Sequence, residues 1–254
     1  PWVYWVYAHL LRNKTAGIFS ISRRGMAQFR HAGMPTSKLF PFGYFVPSSS
    51  THEDSSLQSS PNTEATLRLI YVGSLIHTKG IDLLHAASQH LAKQAIDVSI
   101  DVYGPGDFSI YESDNPRWRY RGIIPFGLAQ SVMATYDALV LPSRYDGWGV
   151  VVNEALCAGI PVICSDQTGA GILLENFGAG VSSPSGDVVA LCERIVSLRD
   201  HPALLSSLKK ATRLAEESIQ PAVAAHYMWE VMQATYDQKS MVQAPWYPPV
   251  HHDS

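Results

Sequence analysis

Cysteine, charge and long apolar runs are all scarce in this chain, and each scarcity closes off a class of protein. Three cysteines (Cys157, Cys164, Cys192) in 254 residues cannot make a disulfide framework, and none stands in a CxxC pair. That usage is the one expected in a reducing, cytoplasmic setting. Charged side chains make up 16% of the sequence, and 19 basic residues against 22 acidic ones leave a formal charge of −3. No overall basic field draws such a chain to nucleic acid or anionic lipid. No run approaches the roughly 20 apolar residues that span a bilayer. The best candidate, Trp2–Leu11, is too short and lacks the basic lead and small-residue cleavage site of a signal peptide.

What is present is apolar: 46% of the residues are hydrophobic, enough for a real core and enough to exclude global disorder. The clearest discontinuity is Val46–Arg68, where seven serines fall between Ser48 and Ser60 beside Pro47, Pro61, Glu53 and Asp54. Such a stretch buries too little to offset its ordering entropy, so it is expected to be an exposed linker. A second tail, Ala244–Ser254, carries three prolines and the pair His251–His252 and is expected to end the fold in solvent.

Between the two, the pattern alternates. Leu67–Val72, Ile96–Tyr103, Trp118–Ile123, Ala138–Leu141, Pro161–Cys164 and Gly180–Ser182 read as short buried strands. Helical spacing fills Lys79–Lys93, Leu128–Tyr136, Val150–Ala158, Gly171–Asn176, Asp187–Leu198, Pro202–Ser218 and Ala222–Asp237. Strand, helix, strand with short connections predicts an α/β fold: a Rossmann-like parallel sheet with helices on both faces. Ligands of such sheets bind outside the carboxyl ends of the strands. The loops after Val72, Tyr103, Ile123 and Leu141 are therefore the ones that can carry a site.

The first of these loops runs from Gly73 through Ser74 and Leu75 to Lys79-Gly80. A lysine at a helix start can pair with phosphate oxygens, although taken alone such a lysine is more often simply solvated. GxxxxGK[ST] is absent, so the loop is not a P-loop. Gly104-Pro105-Gly106 closes the second strand as a tight turn. It fails as a dinucleotide fingerprint, which argues against a Rossmann dehydrogenase. The stretch Pro142-Ser143-Arg144-Tyr145-Asp146-Gly147-Trp148-Gly149-Val150 carries the strongest signal. A strand ends, an acid sits among glycines, and the free N–H groups of a new helix form an anion site. Glu154 lies about one turn inside that helix among apolar residues, where an unpaired carboxylate is costly unless it caps neighbouring backbone.

Taken in order, these pieces resemble the C-terminal, donor-binding domain of a retaining GT-B glycosyltransferase of family 4 (group 1). The resemblance rests on Gly73-Ser74-Leu75 with Lys79-Gly80, Gly104-Pro105-Gly106, Tyr120-Arg121-Gly122, Leu139-Val140-Leu141-Pro142-Ser143, and Asp146 with Glu154-Ala155 followed by Gly159-Ile160-Pro161-Val162-Ile163. It covers roughly Leu67 to Leu198. Ahead of it, Gly17–Phe45 resembles the end of the family's N-terminal domain. The division implied is 1–46 as the end of an acceptor-side domain, 47–66 as linker, 67–219 as nucleotide-sugar domain and 220–254 as C-terminal helix and tail.

The resemblance implies transfer of a sugar from a nucleotide-diphosphate sugar, UDP- or GDP-linked, to a saccharide or lipid-linked acceptor, with retention of configuration and no metal or cofactor. It implies that Lys79 binds the donor diphosphate and that Glu154 accepts hydrogen bonds from the ribose. The backbone of Trp148, Gly149 and Val150 would hold the distal phosphate and sugar, Ser74 and Gly104 would line the nucleotide-sugar site, and the main chain near Ile124 would meet the base. Asp146 would face the transferred sugar. Two departures stand out: Asp146 replaces the usual glutamate, and Ser74 replaces a diphosphate-binding arginine, for which Arg144 is a candidate substitute. Rival expectations are a nucleotide-sugar-binding domain without turnover and a GT-B nucleotide-sugar epimerase. The aromatic opening (Trp2, Tyr4, Trp5, Tyr7) is expected to be a core helix of the leading part, with peripheral membrane contact as the alternative. The start at Pro1 carries the expectation of a truncated chain whose acceptor-side domain is largely missing.

Overall fold

The computed structural model describes residues 2–49, 66–237 and 242–248. Most of the serine-rich linker and the His251–His252 pair lie outside the described residues.

The leading part comprises α1 (Trp2–Leu11), β1 (Ile18–Ile21), α2 (Ser22–His31) and β2 (Leu39–Phe42), with β1 and β2 paired in parallel as a two-stranded sheet. The body follows as β3 (Leu67–Val72), α3 (Ile81–Lys93), β4 (Val98–Tyr103), β5 (Trp118–Tyr120), α4 (Ala129–Met133) and β6 (Ala138–Leu141). It continues through α5 (Val150–Cys157), β7 (Val162–Ser165), α6 (Gly171–Phe177), β8 (Gly180–Ser183), α7 (Val188–Asp200), α8 (Pro202–Ser218) and α9 (Pro221–Tyr236).

Six strands form one parallel sheet in the order β5-β4-β3-β6-β7-β8, with helices on both sides. Its central strands are buried on both faces: Leu69, Ile70 and Tyr71 of β3 and all of β6 are shielded from solvent, which is why they read as continuous apolar runs rather than alternations. The chain builds outward from β3 to β5, then returns to lay β6 against the other side of β3. Crossovers therefore leave in opposite directions from the β3/β6 pair, and a crevice opens where Val72 and Leu141 end.

Three expectations need correction. The opening helix is not a core element among the described residues: Trp2, Trp5, Tyr7 and Leu10 are each more than half exposed and only Ala8 is sealed. Arg121, Gly122 and Ile123 are not strand; β5 stops at Tyr120, and they belong to the loop beyond it. The Pro-rich tail is not solvated at its start. Trp246 is fully buried, its ring 4.4 Å from that of Phe45, 5.0 Å from Tyr227 and 6.0 Å from Phe42. Prolines mask this anchor in the sequence, because local composition says nothing about a single large side chain inserted into a distant core. One continuous buried cluster thus joins Phe40 of the leading part, the sheet, Tyr227 of α9 and Trp246.

All three cysteines are buried, and burial raises the Cys164 thiol to about 12, so that thiol stays protonated.

Candidate functional site

A cavity of about 670 Å³ opens at the crevice between the ends of β3 and β6. Its body-side wall is Val72, Gly73, Ser74, Lys79, Leu141 and the turn Tyr145–Val151; its opposite wall comes from the leading part through Ile21, Ser22, Arg24, Gly25, Gln28 and Tyr44.

Lys79 ends a one-turn 3-10 segment (His77–Lys79), two residues before α3 rather than inside it. Its Nζ donates to Asp146 Oδ2 at 2.5 Å, with the lysine side chain 29% and the aspartate 10% exposed. Asp146 is held by its backbone: its N–H donates to Gln167 O, its carbonyl accepts from Gly169, and it bridges to Thr168 as an isolated parallel pair. Gly149 starts α5 at φ +87, a left-handed conformation that glycine adopts without strain. No side chain caps this helix, and Val150 and Val151, whose amides belong to its first turn and lack intrahelical acceptors, line the cavity.

Trp148 belongs to the wall while its side chain is buried, with Nε1 donating to Asn153 Oδ1 at 2.8 Å. The ring packs on Gly43 so closely that a Cβ there would lie 2.4 Å from it, which ties the site turn to the leading part. Glu154 sits on α5 one turn after Val150 and Val151, on the same helix face. Its carboxylate has no hydrogen-bond or ion-pair partner among the described residues, and burial raises its pKa above the usual carboxylate value. Nothing there is capped by it.

The remaining sequence candidates fall elsewhere. Gly104 (φ +142) lies against the backbone of Gly73, where a Cβ would come within 1.9 Å of the carbonyl oxygen, and it is not part of the cavity wall. Ile124 packs half-buried on the core beside the exposed Ile123 and Phe126. Arg144 is not a free substitute for the missing arginine. Its guanidinium forms a two-pronged pair with Asp82 at 2.6 Å and donates to His77 O, outside the cavity wall.

Sequence reasoning missed the opposite wall. Arg24 contacts Gln167 Oε1 and lies over the Tyr145 ring, 5.3 Å from its centroid. The signal available was Ser22-Arg23-Arg24 directly after a buried strand, the position from which a strand-end loop reaches a crevice. Among the described residues no group of three or more His, Cys, Asp or Glu side chains converges as metal ligands, and no helix is long and apolar enough to cross a membrane.

The sequence profile described as "Glycosyl transferases group 1" matches residues 66–201, from the start of β3 through α7. The chain belongs to this family. Among its relatives, the glycogen synthase of Mycobacterium tuberculosis is 30% identical over 152 residues, covering 57% of this chain and 37% of that protein. The GDP-mannose-dependent monoacylated alpha-(1-6)-phosphatidylinositol monomannoside mannosyltransferase of Corynebacterium glutamicum is 24% identical over 233 residues, covering 84% of this chain and 58% of that one. This group 1 glycosyltransferase chain thus spans about a third to three fifths of the length of these relatives. In fold it is similar to the Anabaena protein HepE, solved in complex with UDP, with a TM-score of 0.73 at 17% identity over 91% of this chain and 67% of that one.

Proposed function

We propose that this group 1 glycosyltransferase moves a sugar from a UDP- or GDP-linked donor to a saccharide or lipid-linked acceptor with retention of configuration, as a family 4 member. The observation that carries this reading is the meeting of Lys79, Asp146 and the uncapped start of α5 at the β3/β6 crevice. In this reading the donor diphosphate lies between the Lys79 ammonium and the first amides of α5. Both favour negative charge, and both act most strongly as the leaving nucleoside diphosphate gains charge on cleavage of the anomeric bond. The same two groups supply the positive field, and no metal ion or cofactor enters the proposal. Asp146 faces the ring that becomes electron-poor.

Glu154 fits the ribose by its own energetics. A half-buried carboxylate without donors is destabilised, and a vicinal diol offers two O–H groups to it. The relative that uses GDP-mannose supports a nucleotide-sugar donor. An acceptor-side domain, a cytoplasmic location and peripheral contact with a membrane belong to the same proposal; the exposed aromatic face of α1 supports the last.

The test is incubation of the protein with labelled UDP- and GDP-sugars and candidate acceptors, with product stereochemistry read by NMR. Transfer with retention is the expected result. Binding without transfer, isomerisation of the donor, or inversion at the anomeric carbon would each overturn the proposal as stated.

A further inference from the structure

The cavity wall contains two cations, and their surroundings differ. Lys79 is matched by Asp146 at 2.5 Å. Arg24 donates to the neutral Gln167 Oε1 and lies over the Tyr145 ring, and among the described residues no carboxylate pairs with it. The two neighbouring arginines that could share its role are already engaged. Arg23 pairs with Glu175 at 2.6 Å and Arg144 with Asp82 at 2.6 Å. Arg24 is therefore the arginine at this cavity whose charge the described residues leave uncompensated.

Its position is also built at a cost. Ser22, a buried non-glycine residue, holds φ +65 at the junction of β1 and α2. L-residues other than glycine enter that region at a cost of roughly 1–2 kcal/mol, and such strain gathers at ligand sites. The junction is over-determined by close approach: a Cβ on Gly169 would lie 2.9 Å from Ser22 Cβ and 2.2 Å from Gly147 O. This packing sets the first turn of α2, and hence Arg24, in the wall of the cavity that Asp146 and Gly147 also line. The guanidinium lies over the Tyr145 ring, 5.3 Å from its centroid, and Arg24 lines the cavity; a guanidinium presents a planar fork of donors that matches phosphate oxygens.

We propose that Arg24 is a phosphate-binding residue of this site, contributed from the leading part across the cavity from Lys79. The proposal rests on the cavity being the nucleotide-sugar site. The phosphate has two possible carriers of the same chemistry, the donor's diphosphate or a phosphorylated acceptor, and the experiment separates them. In the first case Arg24 supplies the positive charge that Ser74 does not. In the second it selects an acceptor bearing a phosphate group.

Calorimetric titrations would compare wild type, Arg24→Gln and Arg24→Lys with UDP, GDP and pyrophosphate, and then, on UDP-saturated protein, with glucose 6-phosphate and glucose. Arg24 is exposed, so unchanged melting temperatures are expected and serve as the folding control. A charge-assisted contact predicts a loss of about tenfold or more in Arg24→Gln, with part of it restored by lysine. Loss toward UDP, GDP and pyrophosphate puts the phosphate on the donor. Loss toward glucose 6-phosphate alone, with glucose unaffected, puts it on the acceptor. Equal affinity of wild type and Arg24→Gln for every phosphate probe overturns the inference, as does failure of the wild type to bind any of them. If wild type binds pyrophosphate or glucose 6-phosphate but neither nucleotide, the nucleotide-sugar reading fails while the phosphate arms still judge Arg24.

Discussion

Lys79 Nζ and Asp146 Oδ2 lie 2.5 Å apart across the mouth of the β3/β6 crevice, joining two loops that are 67 residues apart in the chain. The aspartate is the more buried partner, so removing the lysine strands a desolvated carboxylate, whereas removing the aspartate frees an ammonium that water can reach. Lys79→Ala is therefore expected to lower nucleotide affinity at least tenfold and to destabilise the fold by about 1–3 kcal/mol. Asp146→Asn is expected to keep or tighten nucleotide binding while lowering turnover. Calorimetric affinities set beside transfer rates check the split; equal loss of affinity in both variants would contradict it.

Glu154 gives a prediction with a sign in pH. Burial raises its pKa above the ordinary 4.5, so the folded chain holds this proton to higher pH than the unfolded chain does. Its contribution is fully present below 4.5 and is lost as pH rises through the folded pKa. Glu154→Gln should flatten that part of the stability profile and melt at or above the wild-type temperature at neutral pH, while binding nucleotide more weakly. A Glu154→Gln variant less stable than wild type at neutral pH would mean that the carboxylate has a structural partner.

Asp101 behaves in the opposite sense. Burial alone would raise its pKa, but hydrogen bonds from Arg119 (2.7 Å), Tyr136 (2.9 Å) and Arg121 (3.0 Å) outweigh it and hold the carboxyl below 3.8. Its stabilisation is present above 3.8 and fades as pH falls through the folded value. Asp101→Asn is expected to cost about 2–3 kcal/mol, less than a fully buried pair would, because both arginines are partly solvated. Urea denaturation at neutral pH and near pH 3 checks this. The gap between wild type and variant should narrow in acid.

Trp246 is the anchor of the tail. Its ring is fully buried and among the described residues its Nε1 has no hydrogen-bond partner, so the side chain stabilises chiefly by packing. Trp246→Ala should cost about 3–5 kcal/mol, and Trp246→Phe far less, since it keeps aromatic volume and removes an unsatisfied donor. Chemical denaturation orders the two. Similar losses in both would show that the indole N–H matters.

The sheet was legible because its central strands are short apolar runs ended by glycine or proline, as with Leu67–Val72 before Gly73 and Ala138–Leu141 before Pro142. The body side of the cavity was legible for the same reason: Ser74, Lys79 and Asp146–Val150 directly follow strand ends. Arg24 was not, because nothing local in Ser22-Arg23-Arg24 distinguishes the arginine that pairs with Glu175 from the one that reaches Tyr145. The pairing of Arg144 was not legible either. It follows a site strand, yet Asp82 on α3, distant in sequence, pairs with it. Trp246 was hidden by the prolines around it. In each case the deciding partner lies far along the chain, where spacing and composition carry no information.

The central claim is that the β3/β6 crevice binds a nucleoside diphosphate. Isothermal titration of the wild-type protein with UDP and GDP, repeated on Lys79→Ala and Glu154→Ala, tests it most directly. Saturable one-site binding of one nucleotide, weakened about tenfold or more in each variant, is the predicted result. Wild-type protein that binds neither nucleotide, or that binds one with equal affinity in both variants, would contradict the account.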